Sequence, residues 1–176
     1  VLGEGTATLG SYDVEIPASF IFIGTMNPQD CSTEKLSDVL LDRFDVISMG
    51  YPETQEIEEI IVTEKGTAID GVTVPKNVLT TMVSFVRLLR ENDKLEKVPG
   101  VRATIGLYER SQSHALVNHH TAVTMDDVKA VAISVLSHRI KLKPSVQYLQ
   151  SPEDIIREEA ERFFATAHLR GRGGDG

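Results

Sequence analysis

Three polar residues stand where phosphate chemistry could use them. Asn27 closes the run Phe20-Ile-Phe-Ile-Gly-Thr-Met-Asn-Pro28, and Arg43 lies inside Leu40-Leu-Asp-Arg-Phe-Asp45. An apolar segment rich in Ile and Phe predicts a buried parallel strand. The strand breaks at Gly24 and stops at Pro28, which has no N–H to give a ladder. The carboxyl end of such a strand is where ligands of open α/β sheets bind. An amide there carries a donor and an acceptor but no charge, so it could hold a water for attack on a phosphoryl group. An Asn-Pro pair also makes a turn in which the side chain bonds its own backbone. Arg43 sits between Asp42 and Asp45. Its planar fork stays charged and bonds phosphate oxygens in pairs. Presented to a transferring phosphoryl group, such an arginine is worth about 10³–10⁵ in rate, whereas paired to a surface carboxylate it contributes little. Arg102, in Pro99-Gly-Val-Arg-Ala103, falls in a helical first turn, where the helix dipole disfavours a cation. A phosphate in front of it supplies a reason; a solvated position beside Glu96 is the alternative.

Other chemistries find less support. His119 and His120 are adjacent and point apart on a regular helix, and His114 lies five residues before His119, off the shared-face spacing. With one cysteine, Cys31, no zinc site is expected. No Gly-x-Ser-x-Gly turn marks a nucleophilic serine. The sequence contains no G-x-x-x-x-G-K-[ST] phosphate loop and no apolar strand ending in Asp-Glu that could hold Mg²⁺. The 176 residues carry a net charge of −8, which argues against a nucleic-acid footprint. A hydrophobic content of 41% and a charged content of 25% are those of a globular protein, and only the Gly-rich end Gly171–Gly176 departs from it. Without a disulfide partner for Cys31 or an apolar run of membrane-spanning length, a cytoplasmic, membrane-free protein is expected.

The elements that must position these residues change character along the chain. Residues 1–19 alternate around Gly10-Ser11, as two short strands about a turn would. The strand over 20–26 precedes a helix over 33–42 with Thr33 available as its cap, and Val46–Met49 forms a second short buried strand. Two strands make no stable sheet alone, so further strands are expected from outside this sequence. From residue 53 the period becomes helical. Thr54 caps a helix to Glu64 with Ile57, Ile60 and Ile61 inward. Pro75 opens a second helix carrying Val78, Met82, Phe85, Val86 and Leu89 on one side. Gly100 precedes a third with Val101, Ile105, Tyr108 and Leu116. Thr124 caps a fourth with Val128, Val131, Val135 and Leu136, and Pro152 starts a fifth with Ile155, Ile156, Ala160, Phe163 and Phe164.

The order strand-Asn-Pro, Leu-Asp-Arg-Phe, Tyr51-Pro52 and Gly-x-Arg-Ala resembles AAA+ ATPases, most closely the MoxR and magnesium-chelatase branch, over about residues 1–140. The resemblance implies an α/β remnant of a P-loop NTPase core, with a β-hairpin and short parallel strands, followed by an all-α helical bundle lid. It sets the core part at 1–51, the lid at 52–145 and a C-terminal helix with flexible tail at 146–176. It makes Asn27 the sensor 1 residue, Arg43 an arginine finger acting in trans and Arg102 the nucleotide-contacting sensor 2 arginine, with Asp42 and Asp45 orienting Arg43. ATP and Mg²⁺ are implied as cofactors, bound mainly ahead of Val1, so the 176 residues alone are not expected to hydrolyse ATP. A ring, hexameric by family, and a client or von Willebrand A-type partner protein are implied as well, with remodelling or metal insertion as the outcome. The rival reading from the residues alone is a stand-alone helical interaction module with no nucleotide role.

Overall fold

The computed structural model describes residues 6–8, 15–17, 19–26 and 37–171. They fall into two units, Val1–Met49 and Gly50–Gly176.

In the first unit, β1 (Thr6–Thr8) pairs antiparallel with β2 (Glu15–Pro17), Ala7 opposite Ile16. The alternation of the sequence predicts such a pair. Residues 19–26, expected as a buried parallel strand, have no regular secondary structure, and Ile21 and Ile23 are 89% and 86% exposed. Val46–Met49, expected as a second strand, is likewise irregular and exposed. The physical reason is a missing ladder. A strand satisfies its N–H and C=O groups only across a neighbour, and no strand lies beside either segment among the described residues. The helix expected over 33–42 is seen as α1 (Asp38–Leu41), capped by Ser37, whose hydroxyl accepts from the Leu40 N–H at 3.3 Å. The Thr33 cap lies outside the described residues, and Val39 is exposed.

The second unit is built from α2 (Gln55–Lys65), α3 (Lys76–Arg90), α4 (Val101–Val117), α5 (Met125–Leu136) and α6 (Pro152–Gly171). The antiparallel strands β3 (Leu95–Lys97) and β4 (Lys141–Leu142) pair Leu95 with Leu142 and join the loop before α4 to the turn after α5. A 3-10 turn, Ser137–Arg139, links α5 to β4. The α3 stripe is buried as its spacing requires, with Val78, Met82, Phe85, Val86 and Leu89 in one core with Leu107, Val128, Leu136, Ile155 and Ile156. α6 belongs to this core: Phe163 and Phe164 set their rings 5.3 and 5.1 Å from Phe85. Such aromatic contacts add about 0.5–1.5 kcal/mol each beyond the area they bury. Leu116, expected inward, is half exposed near the end of α4. No described helix is long and apolar enough to cross a membrane.

α2 buries Val62 and half-buries Ile61, but only part of its expected apolar face points inward. Thr54 caps it as expected, accepting from the Ile57 N–H at 3.3 Å. Yet Ile57 and Ile60 are 43% and 56% exposed, while Glu58 and Glu59 are buried. The carboxylates are drawn inward by cations of α3: Arg90 pairs with Glu58 and Lys76 with Glu59.

α4 ends in a polar knot. Its chain reverses through His119, which adopts the left-handed φ of 60°. The His119 N–H donates to Leu116 O and the His120 N–H to Ala115 O, the two bonds of a Schellman ending. That reversal brings two imidazoles onto one carboxylate. Asp127 Oδ1 lies 2.7 Å from His114 Nδ1 and Oδ2 lies 3.2 Å from His120 Nδ1. Asp127 also completes the capping box of α5, accepting from the Thr124 N–H at 2.8 Å and its hydroxyl at 2.6 Å. Burial pushes this carboxyl up, but the Thr124 and His114 bonds, with His120, outweigh it and hold it far below its ordinary value. The sign follows. A lowered native value gives stability that is full above the unfolded carboxyl's range and lost as pH falls through the native one. Unfolding midpoints should therefore decline as pH drops below the ordinary value of 3.8. Asp127→Asn should cost about 1–3 kcal/mol near neutrality in a denaturant titration, and the gap to the parent should narrow in acid.

Candidate functional site

Arg102 occupies the first turn of α4, after the N-capping Gly100, and is exposed. It opens a groove of about 500 Å³ between α4 and the end of α5. Along α4 the groove is lined by Arg102, Ile105, Gly106, Glu109 and Arg110; across it stand Ser134, Val135, His138 and Arg139. Arg102, Gly106 and Arg110 follow each other at i, i+4 and i+8, so both arginines share one ridge with a glycine between them. The glycine sets how near α5 can come. A Cβ there would meet Val135 Cγ1 at 3.0 Å and Arg139 Nη2 at 3.6 Å. The Arg139 guanidinium thus lies over Gly106, its Nη1 donating to Val135 O and standing 2.6 Å from His138 Nε2. The Glu109 carboxylate already accepts the Thr67 N–H at 3.0 Å. Glu96, the possible surface partner for Arg102, pairs instead with Lys141 at 2.9 Å.

The corner that presents Arg102 is anchored by a buried carboxylate. Glu58 has no solvent exposure and accepts two bonds from Arg90, at 2.6 and 2.7 Å, and one from the Thr104 hydroxyl at 2.7 Å. Arg87 adds a second cation at 3.5 Å. Burial pushes the Glu58 carboxyl up, yet the Arg90 and Thr104 bonds and the two guanidinium charges bring it below its usual range. Arg90 also donates through Nε to Pro99 O at 2.9 Å, in the turn before α4, and lies 4.7 Å from the centre of the Tyr51 ring. Arg87 donates to the carbonyls of Pro52 and Glu53. One charge cluster therefore fixes the Tyr51–Glu53 segment, α2, α3 and the first turn of α4.

The other two predicted residues belong to the first unit. Arg43 follows α1, is exposed and donates through Nη1 to Val39 O at 2.5 Å. Among the described residues it forms no ion pair with Asp42 or Asp45. Asn27 lies outside the described residues. Sequence reasoning passed over Arg110, His138, Arg139 and the buried Glu58. The i, i+4, i+8 row of Arg102, Gly106 and Arg110 was a usable signal for the first; the others meet α4 only through tertiary packing. Among the described residues no group of three or more His, Cys, Asp or Glu side chains is arranged to hold a metal ion.

Against known proteins, residues 97–159 match the AAA lid domain family, a stretch that runs from the end of β3 into α6 and contains the Arg102 groove. The chain is 26% identical over 179 aligned residues to "Uncharacterized protein YeaC" of Bacillus subtilis (strain 168), covering 88% of this chain and 56% of that protein. A crystal structure of a "putative ATPase" from Cytophaga hutchinsonii aligns with 21% identity and a TM-score of 0.47, over 90% of this chain and 58% of the other. The chain thus spans little more than half the length of the curated relative it matches. The groove lies within the stretch that matches the AAA lid domain family.

The Glu58–Arg90 pair yields a test of how that corner is held. Removing one partner strands the other charge, so Glu58→Leu or Arg90→Met alone should each cost about 3–5 kcal/mol. The double variant should cost clearly less than the two together in a denaturant-melt cycle.

Proposed function

We propose that this chain is the C-terminal part of an AAA+ ATPase of the MoxR and magnesium-chelatase type, comprising the end of a P-loop NTPase core and its helical lid. The observation that carries the reading is the AAA lid match over residues 97–159, with Arg102 at the mouth of a cationic groove inside it. The groove's donors suit a phosphate-bearing ligand: guanidinium groups give paired, directional bonds to phosphate oxygens. In this reading ATP, with Mg²⁺ bound mainly by protein outside these 176 residues, supplies the phosphoryl group whose transfer drives the machine. Arg102 contacts its phosphates. Asn27 orients the attacking water, and Arg43 reaches an adjoining protomer's phosphates, so that the finger acts only in an assembled ring, a hexamer by family resemblance. The output is remodelling of a client protein or metal insertion, with a von Willebrand A-type partner, in the cytoplasm.

The self-contained core of the second unit favours one rival, a helical interaction module without a nucleotide role. Catalysis separates the two. In the full-length protein, Arg43→Ala should preserve ATP binding and lower turnover by a factor on the order of 10³ or more. Asn27→Ala should likewise spare binding and lower turnover. Steady-state hydrolysis beside equilibrium binding of a labelled nucleotide reads both. Unchanged turnover in the Arg43 variant removes the finger assignment, and a full-length protein that binds no nucleotide removes the ATPase reading.

A further inference from the structure

One phosphate-contacting arginine does not account for the charge gathered beside Arg102. Arg102, Arg110 and Arg139 line a single groove in a chain whose net charge is −8. None of the three forms an ion pair with a carboxylate among the described residues, and the one carboxylate of the groove, Glu109, is engaged with the Thr67 N–H. Like charges converging on one groove repel, and more strongly where solvent is partly excluded. An anion between them reverses that sign.

We propose that Arg102, Arg110 and Arg139 together form one binding site for a chain of linked phosphates, with His138 as the positioning residue for Arg139. This rests on the reading of Arg102 given above but adds three residues to it. The geometry supplies the parts. The i, i+4, i+8 ridge of α4 sets the two arginines about one turn either side of Gly106. Arg139 stands across from them with one nitrogen, Nη1, tied to Val135 O and close to His138 Nε2. A guanidinium has five N–H donors, so Nη2 and Nε remain for a ligand while the group is already oriented. Gly106 keeps the floor between the arginines clear, because a side chain there would crowd Val135 and Arg139. Three separate forks match a ligand with several anionic centres in a row better than a lone carboxylate. Di- and triphosphates, free or as part of a nucleotide, have that chemistry.

The test uses the 176-residue chain and inorganic tripolyphosphate, followed by titration calorimetry at low and at physiological salt. The expected result is saturable one-to-one binding that weakens with salt. Arg102→Gln, Arg110→Gln and Arg139→Gln should each weaken it about tenfold, the loss of one charge-assisted contact. Arg139→Lys keeps the charge without the fork and should fall between, which guards against a folding defect in the Gln variant. His138→Ala should weaken binding and His138→Gln, which restores an acceptor, should recover it; a purely structural role would not show that rescue. Absent binding, or wild-type affinity in the Arg110 and Arg139 variants, overturns the proposal. If only Arg102→Gln loses affinity, the single-arginine reading stands and the wider site falls. If all three lose tripolyphosphate while none alters ATP turnover of the full-length protein, the wider site stands and the ATPase role of Arg102 falls. ATP as a second titrant tells a nucleotide's phosphates from the free polyphosphate.

Discussion

A carboxylate without solvent holds the helical unit in its working shape. Stripping Glu58 of water is costly, and that cost is met only because Arg90, Arg87 and Thr104 converge on it from two other helices. The consequence reaches beyond one ion pair. Glu58 fixes the rotation of α2, and with it the outward turn of Ile57 and Ile60. Arg90, engaged by Glu58, is then in place to hold Pro99 O and to face the Tyr51 ring. The segment that leads into the unit and the turn that starts α4 therefore share an anchor. A buried pair of this kind adds little net stability compared with apolar packing, so its value here is geometric.

α4 is the helix that this geometry serves. Near its start, Thr104 is bonded to Glu58; near its end, His114 is bonded to Asp127. Between them Gln112, almost fully buried, accepts from the Ile69 N–H and donates to Thr67 O, binding the loop after α2 to its flank. Three polar ties at different heights leave little freedom for the helix to slide or rotate. Side chains on its remaining face, Arg102 and Arg110 among them, are thus presented from a rigid ridge. Positioned charge is what phosphate recognition draws on, since a preoriented guanidinium loses less entropy on binding.

The two ends of the chain illustrate opposite limits of local information. Helix starts were legible because their signals are short-range: Thr54 and Thr124 each accept the predicted backbone N–H, and Pro152 opens α6. The α3 stripe was legible because a single face meets a single core. The apolar segments 20–26 and 46–49 carry an equally plain strand pattern, yet stay irregular, since among the described residues no neighbouring strand completes their ladder. A strand's pattern states which faces it can bury; the partner that buries them is a fact about another segment.

The sequence alone determined the Thr54 and Thr124 caps, the buried period of α3, the acidic balance and the placing of Arg102 in a first helical turn. It also held, in the i, i+4, i+8 row through Gly106, half of the cationic groove. Only the tertiary structure decided that α2 turns its glutamates inward, that His114 and His120 meet at Asp127, and that Arg139 crosses Gly106 to face Arg102's groove. The reason is range. Caps and periods are set by bonds within one turn of chain, whereas the position of a buried charge depends on which distant cation can reach it when the helices pack.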